Sequence, residues 1–150
     1  VPGMYRVIDY ADGDTITVSM NGTEERIRFI GVDTPETKKP NKPAQCFADE
    51  AAAFTRQAVD GKSVRLEADS VGDNRDRYDR LLRYVYSEDG TLLNKSLIEQ
   101  GYAFAYTQFS FSKKAEFVQA QRSASSAKTG LWGACTVTNN NGRFRTNPLE

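Results

Sequence analysis

The chain has 150 residues, 20 of them basic and 20 acidic, so its formal net charge is zero and no global positive field points to a polyanionic partner. The absence of histidine excludes a Ser-His triad and a His-ligated zinc site, leaving Asp, Glu, Arg, Lys and Tyr for any acid-base work. The length suits one domain that buries about two-thirds of the surface of its unfolded chain, and no apolar run is long enough to span a bilayer.

In chain order, Met4 to Tyr10 reads as a first strand, ended by the Asp12-Gly13 turn. Asp14 to Met20 alternates Ile16 and Val18 with Thr15 and Thr17, and Asn21-Gly22 is the dipeptide that a tight hairpin prefers. Glu24 to Val32 follows as a third strand, completing a meander. Thr37 to Ala44, rich in Lys and Pro, reads as an exposed, mobile loop. Phe47, Ala51, Phe54 and Ala58 recur at helical spacing up to Gly61, a natural residue just past a helix end. Lys62 to Asp69 and Leu81 to Ser87 are expected as the fourth and fifth strands. Asn94 is placed to cap a short helix running to Gln100 and closed by Gly101. Phe117, Ala120, Ala124, Ala127 and Leu131 give a longer helix with a small-residue stripe. Strands first, a helix between and helices last point to an α+β fold: a five-stranded OB-fold barrel with about three flanking helices. We assign residues 1–135 to this domain and expect 136–150, Asn-rich with scattered charge, to lack order.

The segment Arg26 to Glu36, R-I-R-F-I-G-V-D-T-P-E, concentrates the chemistry. Its first half alternates charged and apolar residues as a half-buried strand does. Its second half offers hard oxygens from Asp33, Thr34 and Glu36, and Arg28 carries a planar fork suited to phosphate. Taken alone, Thr34-Pro35-Glu36 also reads as a helix start, and an arginine on a strand's outer face reads as solvated. In a straight strand Arg28 and Asp33 face opposite sides, so a shared site requires a bulge near Gly31 or a turn that re-aims Asp33.

Two further motifs keep this segment company: Asp12-Gly13-Asp14-Thr15 upstream, and Asp76-Arg77-Tyr78-Asp79-Arg80 downstream. The first alone reads as a hairpin connector and does not continue into an EF-hand loop. All three together, in this order and at about this spacing, resemble the staphylococcal nuclease (thermonuclease) family, from about Tyr5 to Trp132. The resemblance implies an OB-fold and a metal-dependent endonuclease that hydrolyses phosphodiester bonds of DNA and RNA with little sequence preference, using Ca2+ and leaving 3′-phosphate ends. It implies calcium ligation by Asp14, Asp33 and the carbonyl of Thr34, a general-base role for Glu36, and Arg28 and Arg80 flanking the scissile phosphate. Arg77, Tyr78 and Tyr106 match positions near the nucleotide, although Tyr106 reads equally well as a barrel-lid aromatic. Lys38, Lys39 and Lys42 are positioned to help hold a polyanion; Arg75 and Arg83 read as solvated. Asp79 replaces the glycine that the family commonly has before its second arginine, which puts a Cβ and a charge beside Arg80.

A monomer is expected, in a secreted or cell-envelope location, with no signal peptide at the start of this chain and no membrane partner. Cys46 and Cys135 suit a disulfide in that oxidising setting, a departure from the family pattern; two free buried thiols are the alternative. A noncatalytic OB module binding single-stranded nucleic acid, or a calcium-stabilised interaction domain, are the competing readings. The first is disfavoured by the joint presence of Asp14, Asp33, Glu36, Arg28 and Arg80, and the second leaves the paired arginines without a use.

Overall fold

The structure, a computed structural model, describes residues 3–149; Val1, Pro2 and Glu150, at the outer ends of the two ranges assigned above, lie outside the described residues. The meander expected from period-2 alternation is formed by β1 (Met4–Asp12), β2 (Thr15–Met20) and β3 (Thr23–Phe29). Asn21 and Gly22 both take positive φ, 54° and 82°, the mirror-image turn whose twist matches the flanking strands. β3 is shorter than predicted. At Gly31 φ is +73°, and the chain turns before a separate two-residue strand, β4 (Val32–Asp33). A Cβ at Gly31 would lie 2.5 Å from the Phe111 ring, so glycine is required there by both conformation and space.

Helix α1 (Ala48–Val59) buries Ala48, Ala51, Thr55 and Val59 and is followed by Gly61 at φ +69°. Next come β5 (Ser63–Glu67), β6 (Leu81–Tyr86), α2 (Leu93–Glu99), β7 (Phe104–Ala105), α3 (Lys114–Ser126) and the four-residue α4 (Leu131–Ala134). The expected long last helix is thus broken, with Lys128 and Gly130 at φ 54° and 56°. β1, β2, β3, β6 and β5 close into a five-stranded barrel in that order, with β3 and β6 parallel and the other pairs antiparallel. β4 pairs with β7 outside it. This is the predicted α+β OB-fold barrel, with three substantial helices around it.

The barrel interior is filled by Ile16, Val18, Ile27, Phe29, Val64 and Val85, and α2 and α3 cover it with Leu97, Ile98 and Phe117. Burial of such side chains stabilises by about 1.5–3 kcal/mol each. Asn94 is not the N-cap predicted for it. It sits inside α2, fully buried, accepting from the Val85 amide at 2.8 Å and donating to the Ile30 and Arg83 carbonyls at 2.9 and 3.3 Å. It serves the backbone groups that the barrel seam leaves exposed where β3 ends, which an Asn can do as donor and acceptor at once.

The C-terminal tail also differs from expectation. Instead of lacking order, it forms a hairpin of β8 (Val137–Asn140) and β9 (Arg143–Thr146) through Asn141-Gly142, again both at positive φ. Phe144 stacks on Phe104 with centroids 5.5 Å apart and meets Trp132 edge-on at 5.9 Å. The Cys46–Cys135 disulfide is formed and closes a separation of 89 residues. Around it, Cys46 donates its amide to Asn147 O at 2.7 Å, Thr146 Oγ1 donates to Cys46 O at 2.7 Å, and Leu149 N donates to Ala44 O at 2.7 Å. The tail thereby ties down the far end of the exposed 37–44 loop. The predicted disorder rested on polar composition, which does not register a single aromatic anchor combined with a covalent tether.

Candidate active site

A cleft of 1180 Å³ opens at the mouth of the barrel, and all nine site residues expected from the sequence line it: Asp14, Arg28, Asp33, Thr34, Glu36, Arg77, Tyr78 and Arg80 from the motifs, and Tyr106. The turn at Gly31 is what lets Arg28 and Asp33 share it. Arg28 leaves β3 and is held by the very backbone that turns: its Nη1 donates to Phe29 O at 2.9 Å and Val32 O at 2.7 Å. Its Nη2 stands 3.5 Å from Asp14 Oδ2. The Tyr106 amide donates to Gly31 O at 2.8 Å, locking β7 against the same turn.

Asp14 is buried, just ahead of β2, and its carbonyl receives the Phe29 amide at 2.9 Å. One carboxylate oxygen accepts from Thr15 Oγ1 at 3.1 Å and the other from the Thr34 amide at 3.1 Å, so the first and second acidic motifs are joined by a hydrogen bond. Asp33 follows the turn. Burial, with Asp14 nearby as a second negative charge, raises its pKa to about 6 against the opposing pull of Arg28, Arg143 and Arg145. Thr34-Pro35-Glu36 does not start a helix; α1 begins only at Ala48. Glu36 is partly buried, and its backbone is clasped by Gln45, whose side-chain oxygen accepts the Glu36 amide at 2.8 Å and whose own amide donates to Glu36 O at 2.9 Å. Thr37 Oγ1 donates to Asp12 Oδ1 at 2.6 Å.

On the opposite wall, Asp76 organises the loop of the third motif. Its Oδ1 accepts the amides of Tyr78 and Arg80 at 2.9 and 3.0 Å, and its Oδ2 takes Arg80 Nε at 2.7 Å. These donors hold the Asp76 carboxyl below the usual carboxylate range against the penalty of its burial. The Tyr78 ring is 54% exposed, with the guanidinium carbons of Arg77 and Arg80 at 4.9 and 5.3 Å from its centroid. Asp79 has φ 64°, so the glycine-like conformation is present without glycine; its side chain, 84% exposed, lies 3.6 Å from Arg75 and leaves Arg80 alone. Arg75 itself is not merely solvated. It makes a two-pronged pair with Glu25 at 2.7 and 3.1 Å and donates to Asp79 O at 3.0 Å, bracing the loop. Arg83 likewise turns to the backbone, donating to Leu82 O at 2.8 Å.

Tyr106 is half-buried at the cleft wall, beside Phe109 at 5.8 Å and the Arg143 guanidinium at 5.4 Å. Lys39 also lines the cleft, whereas Lys38 and Lys42 are exposed outside it. Sequence reasoning missed Asp76 and Arg143. The i, i+4 spacing of Asp76 and Arg80 could have signalled the first; nothing local signals the second.

The donor set suits a divalent cation. Asp14 and Asp33 are two hard carboxylates whose mutual repulsion such a cation would relieve, and Thr34 Oγ1 beside them is buried with no hydrogen-bond partner. Among the described residues no third acidic, histidine or cysteine side chain completes a cluster, so a cation there would keep much of its coordination open.

Barrel and cleft define an OB-fold protein that sets buried carboxylates against arginines at the barrel mouth. The family described as staphylococcal nuclease homologue matches residues 26–134. The thermonuclease of Staphylococcus hyicus is 40% identical over 131 residues, covering 85% of this chain and 75% of that protein. Endonuclease YncB of Bacillus subtilis is 38% identical over 133 residues, 87% of this chain and 62% of that protein, and the prophage-derived endonuclease YokF of the same species is 39% identical over 123 residues, 81% and 41%. The chain belongs to the staphylococcal nuclease family.

Proposed function

We propose that the protein is a secreted or cell-envelope nuclease, acting as a monomer, that hydrolyses phosphodiester bonds of DNA and RNA with little sequence preference, uses Ca2+ and leaves 3′-phosphate ends. The observation that carries this reading is the convergence of Asp14, Asp33, Glu36, Arg28 and Arg80 on one cleft. The endonuclease and thermonuclease relatives support the reaction class, and the disulfide supports an oxidising location.

Asp14, Asp33 and Thr34 would hold the metal. Bound there, a divalent cation supplies Lewis-acid polarisation of a phosphoryl oxygen and a more acidic water. Glu36, fixed by Gln45 at its backbone, accepts the proton of the attacking water as its oxygen bonds to phosphorus. The bond from phosphorus to the 5′-oxygen breaks, leaving a 3′-phosphate and a 5′-hydroxyl that takes its proton from solvent. Arg28 and Arg80 stabilise the charge that builds on the equatorial oxygens. Arg80 is suited to this: Asp76 fixes its Nε, and its terminal nitrogens have no hydrogen-bond partner among the described residues. Its guanidinium acts as a charge stabiliser and not as a proton donor. Exposed Tyr78 and half-buried Tyr106, with Arg77, would receive bases and backbone without reading sequence.

The test is end analysis of products from a labelled single-stranded DNA and an RNA of matched sequence, in calcium and in chelator. Cleavage of both in calcium only, with 3′-phosphate ends, is expected. Binding without cleavage would favour the noncatalytic OB module.

A further inference from the structure

The β8–β9 hairpin lies beyond the residues that match the family, yet it delivers a side chain into the cleft. Arg143, the first residue of β9, has its Nε 3.6 Å from Asp33 Oδ2, too far for a hydrogen bond. That Nε is shielded from solvent and has no hydrogen-bond partner. The guanidinium instead rests by Tyr106. Its place is imposed from elsewhere: by the Asn141-Gly142 turn, by Phe144 on Phe104 and Trp132, and by the Cys46–Cys135 bridge.

Resting on the reading of this cleft as a nuclease site, we propose that Arg143 is a resident cation on Asp33 that a divalent metal ion must compete with and a substrate phosphate draws away, so that the hairpin couples metal binding to nucleic-acid binding. With Arg28 near Asp14 at 3.5 Å and Arg143 near Asp33 at 3.6 Å, each carboxylate already has one guanidinium that offsets part of its charge. A cation entering alone meets both as like charges. Arg28 cannot yield, because its Nη1 is committed to two backbone carbonyls. Arg143 can, because its ion pair is long and its Nε is unsatisfied. A phosphodiester offers the short, two-pronged contact that the guanidinium fork prefers, and in accepting it Arg143 leaves Asp33 to the metal. Linkage then requires that metal and nucleotide tighten each other equally.

Calorimetric titration of the intact protein with calcium, with and without thymidine 5′-monophosphate, which has no diester to cleave, tests this in wild type, Arg143→Gln and Arg143→Lys. Arg143→Gln should bind calcium alone at least threefold more tightly, and the nucleotide's enhancement of calcium binding should fall to less than half of its wild-type factor. Arg143→Lys, which keeps the charge, should stay within twofold of wild type for calcium alone. Thermal melting of each variant checks that the hairpin variant remains folded. If wild type binds calcium but Arg143→Gln binds it equally or more weakly with undiminished coupling, the proposal is overturned while the nuclease reading stands. If wild type binds no calcium at all, both fall together.

Discussion

Asp76 holds Arg80 by two routes at once, with its Oδ2 on the Nε at 2.7 Å and its Oδ1 on the Arg80 backbone amide at 3.0 Å. The side chain and the loop that carries it are thus set by one carboxylate, and only the far end of the guanidinium is left for a ligand. Replacing Asp76 by Ala should lower kcat by about 10- to 100-fold, the scale expected when a charge-stabilising group is misplaced by an ångström or so. KM should change less. Steady-state kinetics on a single-stranded oligonucleotide give both numbers, with circular dichroism as the check on folding.

Gly31 should tolerate no side chain. An alanine there would be strained at φ +73° and would push its Cβ to within 2.5 Å of Phe111 and 2.9 Å of Phe117. A loss of about 2–4 kcal/mol in unfolding free energy is expected from strain and overpacking combined, measured by urea titration. Activity should fall beyond what stability explains, because this turn places Asp33 on the same side as Arg28.

The disulfide should matter for stability more than for the barrel's existence. Closing a separation of 89 residues is worth about 4–5 kcal/mol in the loop-entropy model, and double replacement of Cys46 and Cys135 by Ser should cost about 2–4 kcal/mol of it. The bridge joins two residues outside the five barrel strands, so the variant should show the same β-sheet spectrum before its earlier urea midpoint.

Acid sensitivity has an identifiable contributor in Asp69. Its carboxylate accepts from the Tyr84 hydroxyl, from the Val71 amide at 2.7 Å and from the amide and hydroxyl of Ser112 at 2.7 and 2.8 Å. Although burial opposes ionisation, these donors bring its pKa down from 3.8 to about 2. A folded pKa below the unfolded one gives stability that is present above pH 4 and lost as pH falls toward 2. After allowance for solvent screening this is about 1 kcal/mol. Asp69→Asn should lower stability at pH 7 and flatten its decline between pH 4 and 2, as read from urea midpoints across that range.

How much of this was legible in the sequence differs from part to part, for physical reasons. The meander followed from alternation at Ile16, Val18 and Ile27 and from Asn21-Gly22, because a half-buried sheet imposes period two and a tight turn demands positive φ. The turn at Gly31 was legible only as a conflict, since Arg28 and Asp33 had opposite parity and yet belonged together. Asn94 looks like a cap because a cap is the commonest use of Asn at a helix start; its actual role depends on Arg83 and Val85 in the preceding strand and on Ile30, 64 residues away. The hairpin at residues 137–146 carries the same turn dipeptide, Asn141-Gly142, as the first hairpin, but what docks it is Phe104 and Cys46, distant along the chain, together with Trp132. Arg143 reaches the cleft only through that hairpin, so no local pattern could announce it. Asp79 puts a charge beside Arg80 in the sequence, but its side chain points to Arg75 and solvent.

The most direct test of the proposed nuclease site is hydrolysis of single-stranded DNA by wild type and Glu36→Gln, each in calcium, in magnesium and with chelator. The site as described predicts cleavage by wild type in calcium, abolished by chelator, and a fall of several hundredfold or more in kcat for Glu36→Gln with oligonucleotide binding retained, the scale of general-base loss. Wild-type cleavage that persists in chelator, or a Glu36→Gln variant as fast as wild type, would contradict it.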